Sequence, residues 1–317
     1  MKKIIDIFAQ HDSFVVSGHT NPDGDCIGSC FALALTLSKM GKRVGVLLEP
    51  YPSKFNVIPG SHLLITSMPA DVDVFVAVDS ASRSRLGTFE SAFEAAKHTV
   101  CIDHHETNVG FADVNFIEPE ASSTSEMVYS IVKELVAIDT DIASAIYAGI
   151  VSDTGGFRLS LTGRSTMEVV AVLMGVGIPF TILYNELMHM HRFEAGKALG
   201  VALQNSEQHM GGRVVLTYVS LEMMAAIKAN SSDLEGVVGY LMNTRDAEVA
   251  AIIYERDGDD KVKIGLRSNG ANIGKVAMAL GGGGHKMAAA ADFDGSIEEA
   301  KAITLELIKK ELTEHAV

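Results

Sequence analysis

The first two-thirds of the chain alternates short runs of β-favouring apolar residues with longer segments of helical periodicity. Strands are predicted at residues 14–16, 43–48, 72–78 and 99–102, and a helix at 27–40 separates the first two. Strands that alternate with helices form a parallel sheet covered by helices on both faces. The pattern therefore predicts an α/β fold whose N-terminal part is a doubly wound parallel sheet.

The pattern changes in the last third, after a run of helices. The predicted helices before the change lie at 142–151, 165–174, 180–188 and 193–207. The elements predicted after it are a strand at 214–219, a hairpin over 249–254 and 261–266, and helices at 273–280 and 297–311. We therefore predict a catalytic domain at 1–190, a linker helix at 191–207, and a smaller α/β substrate-binding domain at 208–317.

Charge and cysteine content narrow the classes of partner. The chain has 26 Lys and Arg against 40 Asp and Glu, a formal net charge of −14, which disfavours a basic groove for long double-stranded nucleic acid. Its 3 cysteines do not make a disulfide framework, and the N-terminus lacks the apolar core of a signal peptide. The most apolar segment, 169–183, is too short for a membrane span and contains Pro179. We expect a cytoplasmic protein with no membrane partner.

Acidic and histidine residues follow the predicted strands and one predicted helix. The candidates for metal binding are His19, Asp23, Asp25, Asp79, Asp153 and the segment 103–105, which contains His104. The carboxyl ends of parallel strands meet at one edge of the sheet, where ligands bind in open α/β folds, so we expect these side chains to converge. Taken alone, the loop that carries His19 could simply cap a helix, and a His-His pair such as 104–105 is often a surface feature.

Carboxylate oxygens and imidazole nitrogens in this number suit two divalent cations. A pair of cations clamps the attacking and leaving oxygens of a phosphoryl displacement and lowers the pKa of a bound water. Mixed carboxylate and imidazole ligands favour Mn²⁺ over Mg²⁺, although Mg²⁺ or Co²⁺ could also bind. The sequence therefore predicts a two-metal phosphoesterase.

The C-terminal domain carries candidate anion-binding residues. Four glycines at 281–284 are predicted to leave backbone amides bare for a phosphate. The candidate substrate-binding residues are Gly282, Gly283, Gly284, His285, Arg267 and Ser268. Arg158, behind the Asp153 turn, is a further candidate for phosphate contact, with a surface salt bridge as the alternative.

These motifs resemble the DHH phosphoesterase superfamily in order and spacing. The resemblance rests on the segments 19–29, Asp79 with 85–87, 103–105 and 152–155, and the segments 265–268 and 281–286 resemble the DHH-associated substrate-binding domain. It implies that His19, Asp23 and Asp79 hold one metal. It also implies that Asp25, Asp79, His104 and Asp153 hold the other, with Asp79 bridging. Asp103 would orient an imidazole, and His105 would face the substrate phosphate, so the catalytic residues would be Asp79, Asp103 and His105.

Within the superfamily, the layout is most similar to bacterial nanoRNases and 3′-phosphoadenosine 5′-phosphate phosphatases. This resemblance implies hydrolysis of short RNA, about two to five nucleotides long, to mononucleotides, or dephosphorylation of the bisphosphate nucleotide, by two-metal-activated water. A homodimer is implied by the resemblance only. Cyclic- or linear-dinucleotide phosphodiesterases and inorganic pyrophosphatases are enzymatic alternatives, and a metal-bound nucleotide sensor is the non-enzymatic one.

Overall fold

A computed structural model describes residues 1–69 and 71–314, so the last three residues of the predicted C-terminal domain lie outside the described part. The chain divides into two compact units, one from Met1 to Met190 and the other from His191 onward. Each unit has its own sheet and its own buried core. No helix among the described residues has both the length and the apolar character needed to cross a bilayer.

The first unit is built on a five-stranded parallel sheet. Its strands are β1 Ser13–Ser17, β2 Arg43–Leu47, β3 Val74–Val78, β4 His98–Asp103 and β5 Val114–Ile117. The spatial order is β2-β1-β3-β4-β5, with every neighbouring pair parallel. The predicted doubly wound parallel sheet is confirmed, and its order reverses between β1 and β3, the place where such sheets bind ligands.

Helices cover both faces of this sheet. They are α1 Lys2–Gln10, α2 Gly24–Lys39, α3 Glu90–Ala95, α4 Thr124–Val132, α5 Thr140–Asp153, α6 Arg164–Gly175 and α7 Phe180–Met188. Alternate residues of β1 enter different cores: Phe14 and Val16 pack with α2 and α5, whereas Val15 packs with Leu47 and Phe75. This two-sided burial explains why the strands are almost uniformly apolar.

Close packing of α2 on α5 depends on a glycine. A Cβ added at Gly28 would lie 2.6 Å from the carbonyl oxygen of Ala145 and 3.0 Å from the Cα of Gly149. Glycine in a helix interior costs about 0.5–1 kcal/mol relative to alanine, so its presence in α2 is explained by the close approach of α5. The contact brings the first turn of α2, which carries Asp25, towards the end of α5, which carries Asp153.

The second unit contains a six-stranded mixed sheet. Its strands are β6 Glu207–His209, β7 Val214–Val219, β8 Val249–Arg256, β9 Asp259–Ser268, β10 Gly283–Gly284 and β11 Ala288–Phe293. The order is β10-β11-β9-β8-β7-β6, and β7 with β8 is its parallel pair. The helices are α8 Phe193–Gln204, α9 Leu221–Ile227, α10 Val237–Leu241, α11 Ile273–Ala279 and α12 Ile297–Glu314.

Two local predictions in this unit were wrong. The helix predicted to reach residue 207 ends at Gln204, because Glu207 enters β6 and pairs with Leu216. The prediction of bare amides fails for the first two glycines of the run. The amide of Gly281 donates to the carbonyl of Met278 at 3.0 Å, and that of Gly282 donates to the carbonyl of Ala277 at 2.8 Å. These two bonds close the end of α11 as a Schellman motif.

Candidate metal centre

The candidate ligands of the first unit lie where three neighbouring elements end. His19 follows β1, Asp79 directly follows β3, and His104 directly follows β4. Asp153 is the last residue of α5. Asp79 has a positive φ of 52°, a left-handed conformation that Asp tolerates better than most residues. The sheet edge and α5 thus bring residues far apart in sequence into one cluster.

The two oxygens of Asp79 face two different imidazoles. Its Oδ2 lies 3.5 Å from His19 Nε2, and its Oδ1 lies 3.8 Å from His104 Nε2. On the outer sides, His19 Nε2 lies 3.7 Å from Asp23 Oδ1, and His104 Nε2 lies 3.4 Å from Asp153 Oδ2. Candidate ligand atoms of Asp25, His104 and Asp153 also lie within 4.8 Å of one another. The cluster therefore has two lobes that share Asp79.

Backbone carbonyls orient both imidazoles. His19 Nδ1 lies 2.9 Å from the carbonyl oxygen of Thr20, and His104 Nδ1 lies 3.2 Å from that of Ala121. With the Nδ1 hydrogens donated to these carbonyls, both Nε2 atoms face the carboxylates and are the atoms that would ligate a metal, which is how metal-ligating histidines are usually held.

Asp23 and Asp25 perform different local tasks although they are two residues apart. Asp23 is the N-cap of α2, and its Oδ1 accepts hydrogen bonds of 3.0 Å from the amides of Asp25 and Cys26. Asp25 is only 1% exposed, and its two oxygens accept from the amides of Thr124 and Ser125 at 2.7 and 2.9 Å. Asp23 therefore caps a helix, as the alternative interpretation of this loop predicted, and it also faces His19.

The cluster carries more negative charge than its histidines can balance. Burial, followed by the neighbouring charges of Asp79 and Asp153, raises the pKa of Asp25 well above its ordinary value. Burial also raises the pKa of Asp153 to about 6, with Asp79 and Asp23 adding to the shift against the opposing effect of His104. Burial works against a charge on His19, but the carboxylates of Asp23 and Asp79 outweigh it and raise its pKa to about 12. Divalent cations would relieve this repulsion, so the donor set fits a metal centre.

Asp103 and His105 form a separate hydrogen-bonded pair beside the cluster. His105 Nδ1 donates to Asp103 Oδ1 at 2.7 Å, and this bond raises the pKa of His105. Asn108 donates to Asp103 Oδ2 at 2.7 Å and to the carbonyl of Ser80 at 3.0 Å. Burial would raise the pKa of Asp103, but hydrogen bonds from His105 and Asn108 lower it. Asp103 therefore stays ionised and fixes the orientation of the His105 ring.

Sequence reasoning missed Thr124, Ser125 and Asn108. Ser123, whose side chain accepts from the amide of Glu126, and Glu126 three residues later are the residue types that mark a helix start, so the position of α4 could have been predicted. No local pattern shows that this helix start would contact Asp25, which is 99 residues away from Thr124 in the chain.

The candidate anion-binding residues of the second unit lie around the ends of β9 and α11. Arg267 Nη1 donates to the carbonyl of Leu266 at 3.0 Å, and burial lowers the pKa of Arg267. The hydroxyl of Ser268 donates to the carbonyl of Ala271 at 2.6 Å. Gly283 and Gly284 are exposed and pair with Ala290 and Ala289 of β11.

Gly282 and His285 have structural tasks in the second unit, whereas Arg158 belongs to the first unit. A Cβ at Gly282 would lie 2.5 Å from the Cα of Ala291, so glycine permits the approach of β11. The amide of His285 donates to the carbonyl of Ala288 at 2.8 Å. Arg158 lies in the turn after α5 in the first unit, where its amide donates to the carbonyl of Thr154 at 2.9 Å.

Comparisons with known proteins agree with this geometry. Residues 13–150 match the DHH family, N-terminal domain, and residues 211–314 match the DHHA1 domain. The bifunctional oligoribonuclease and PAP phosphatase NrnA of Thermus thermophilus is 29% identical over 306 residues, covering 94% of this chain and 90% of that protein. The protein of the same name from Bacillus subtilis is 26% identical, covering 96% of both chains.

A solved structure supports the same assignment of the fold. The exopolyphosphatase-related protein of Bacteroides fragilis superposes with a TM-score of 0.89 at 25% identity, covering 98% of this chain and 96% of that one. Its sheets and those of the present chain therefore share one architecture. With both domains matched in order and the ligand cluster assembled within the first, the chain is a DHH-family phosphoesterase with a C-terminal DHHA1 domain.

Proposed function

We propose that this chain is a manganese-dependent phosphoesterase that hydrolyses short oligoribonucleotides to mononucleotides and removes phosphate from 3′-phosphoadenosine 5′-phosphate. The observation that carries the proposal is the two-lobed cluster in which the two oxygens of Asp79 face His19 and His104. The choice of substrates is supported by the two NrnA relatives, which match both domains over nearly their whole length.

The ligand assignment follows the two lobes. His19, Asp23 and Asp79 would hold one cation, and Asp79, Asp25, His104 and Asp153 the other. Bound there, two divalent cations would supply an activated water and neutralise the charge that develops on the phosphoryl oxygens. Two imidazoles among carboxylates favour Mn²⁺, because Mg²⁺ prefers oxygen ligands alone.

His105 and Asp103 would act on the substrate side of the cluster. Because His105 donates its Nδ1 hydrogen to Asp103, its Nε2 is left to meet a phosphate oxygen or the leaving group. The buried, ionised Asp103 stabilises the protonated ring and thereby keeps His105 available as a hydrogen-bond donor. Removal of either side chain would impair turnover without removing a proposed metal ligand.

The second unit carries candidate residues for contact with a substrate phosphate. Arg267 and His285 supply candidate donors there, whereas the hydroxyl hydrogen of Ser268 is already donated to the carbonyl of Ala271. The exposed Gly283 and Gly284 allow a phosphate to approach the backbone. In the first unit, Arg158 is a separate candidate for contact with phosphate. Several other cations of the second unit are engaged in ion pairs, namely Arg213 with Glu248, Arg256 and Lys263 with Asp292, and Lys301 with Glu207. This pairing reduces the positive charge available to a small, highly charged anion such as pyrophosphate.

The proposal is tested by offering several phosphoesters to the metal-stripped protein with and without added Mn²⁺. The substrates are a 5′-labelled RNA dinucleotide, 3′-phosphoadenosine 5′-phosphate, a cyclic dinucleotide and pyrophosphate. We expect Mn²⁺-dependent release of mononucleotide and of phosphate from the first two. The Asp12→Asn variant, which changes a carboxylate exposed on the surface and paired with Lys42, should behave as wild type.

The outcomes separate the alternatives. Preferential cleavage of the cyclic dinucleotide or of pyrophosphate would replace the proposed substrates while leaving the metal centre in place. Tight nucleotide binding with no turnover of any substrate at saturating Mn²⁺ would support the nucleotide sensor and reject the enzyme.

A further inference from the structure

Thr124 contacts carboxylates from both lobes of the metal centre. Its backbone amide donates to Asp25 Oδ2 at 2.7 Å, and its side-chain hydroxyl donates to Asp79 Oδ1 at 3.0 Å. Thr124 itself is fully buried. One residue outside the ligand set therefore fixes a carboxylate oxygen of each of two candidate ligands.

The start of α4 makes these contacts available. Thr124 and Ser125 are the first two residues of the helix, so their amides have no acceptor within it. Both amides donate to Asp25 instead, one to each oxygen. Two donors on separate oxygens prevent the carboxylate of Asp25 from rotating. They also hold negative charge at the positive end of the helix, where it is favoured.

The position of this helix start is itself secured. Ser123 accepts from the amide of Glu126 at 3.1 Å, and the Glu126 carboxylate accepts from the hydroxyls of Ser122 and Thr166. Thr166 belongs to α6, so the start of α4 is tied to a second helix. The hydroxyl of Thr124 is thus presented to Asp79 from a rigid support.

We propose that Thr124 is a positioning residue that sets the orientation of the bridging carboxylate of Asp79. The hydrogen bond from the hydroxyl to Oδ1 fixes the rotation of the Asp79 carboxylate. In this orientation Oδ1 faces His104 and Oδ2 faces His19. Without the hydroxyl, rotation of the Asp79 carboxylate would disturb both lobes together. The inference rests on the proposed metal centre, because the consequence of a rotated Asp79 is weaker metal binding.

The decisive comparison is between Thr124→Val, which removes only the hydroxyl function, and Thr124→Ser, which retains it but loses the methyl group. Thr36→Val is the matched control, because Thr36 is also fully buried in the first unit, but its hydroxyl donates to the carbonyl of Ala32 within α2. Mn²⁺ affinity is measured by electron paramagnetic resonance of free Mn²⁺. The values of kcat and KM are measured with the RNA dinucleotide as substrate. Thermal stability is measured in EDTA.

We expect Thr124→Val to weaken Mn²⁺ binding by about 10- to 100-fold, the range found when a residue that supports metal ligands is changed. Thr124→Ser should restore most of this loss, although both variants lower the thermal stability of the metal-free protein. At saturating Mn²⁺, kcat of Thr124→Val should stay reduced, with KM changed little.

Equal Mn²⁺ affinity for wild type, Thr124→Val and Thr36→Val, together with reduced thermal stability of Thr124→Val, would overturn the inference and leave Thr124 a packing residue. Failure of the wild type to bind Mn²⁺ would reject the proposed metal centre itself. The two failures are therefore distinguishable in one titration.

Discussion

Substitution of Gly149 by alanine tests whether the contact between α5 and the Asp25 region shapes the metal centre. A Cβ at position 149 would lie 2.8 Å from Asp25 Oδ1 and 2.7 Å from the Cβ of Ser125. Neither neighbour can move freely, because Asp25 is held by two amides and Ser125 lies in the first turn of α4. We expect Gly149→Ala to displace the Asp25 carboxylate.

The magnitude combines two opposing effects on the free energy of unfolding. Insertion of a methyl group into a close-packed site costs about 1–3 kcal/mol, whereas alanine in place of glycine in a helix contributes about 1 kcal/mol. The metal-free variant should therefore lose roughly 0–2 kcal/mol. The larger effect concerns Mn²⁺, whose binding at one hundred times its Kd stabilises a protein by about 2.7 kcal/mol. A tenfold loss of affinity would halve this gain to about 1.4 kcal/mol.

The assay is thermal unfolding in EDTA and at one fixed Mn²⁺ concentration. Gly175→Ala is the control, because a Cβ at the end of α6 would meet no atom within 4 Å. The control should keep the full Mn²⁺-induced rise in Tm, and Gly149→Ala should show a clearly smaller rise. If both variants show the rise of the wild type, the contact does not shape the metal centre and the reasoning is refuted.

Three further predictions follow from the charges of the two sites. Asp79→Asn should lower kcat more than about 100-fold with little change in the Tm of the metal-free protein, since Asn also tolerates the φ of 52°; near wild-type kcat would contradict the bridging role. Arg267→Ala should raise KM for the RNA dinucleotide about 10- to 100-fold through the loss of a charged hydrogen bond, with kcat nearly unchanged, and an unchanged KM would remove Arg267 from the substrate site. Asp153 has its pKa raised from 3.8 to about 6, so the folded, metal-free protein binds this proton more tightly than the unfolded chain and loses stability as the pH rises through that interval. Urea unfolding in EDTA should show that Asp153→Asn loses less free energy of unfolding between pH 4 and 6 than the wild type. Identical pH profiles for the two proteins would show that the pKa of Asp153 is not raised in this way.

The parts of the fold that the sequence could predict are those whose local pattern is strong. The central residues of β1, β3 and β4 are apolar runs buried on both faces, and polar residues that form the cluster follow these runs. β5 and β6 were not predicted, because Val114–Ile117 is a half-exposed edge strand and Glu207–His209 is wholly polar. Edge strands of this kind are formed by pairing with a neighbour, which a local pattern does not contain.

The candidate site likewise has features that the local sequence predicts and features that depend on tertiary packing. Its candidate ligands could be located in the sequence, because each follows a predicted strand or helix, but the choice of His104 within the segment 103–105 came from the family resemblance. The contacts that support these candidate ligands could not be predicted, since Thr124 reaches Asp25 and Asp79 only through the packing of α4. The roles of the glycines at 281–284 could not be predicted locally either. Their sequence suggested bare backbone amides, whereas Gly281 and Gly282 close the end of α11 and Gly283 pairs with Ala290 of β11.

Anomalous diffraction from crystals soaked in MnCl₂ tests the central claim most directly. We predict two manganese peaks per chain, about 3.5–4 Å apart, on either side of the Asp79 carboxylate. One peak should contact His19 and the other His104. A single peak, or peaks that do not contact Asp79, would contradict the two-metal centre.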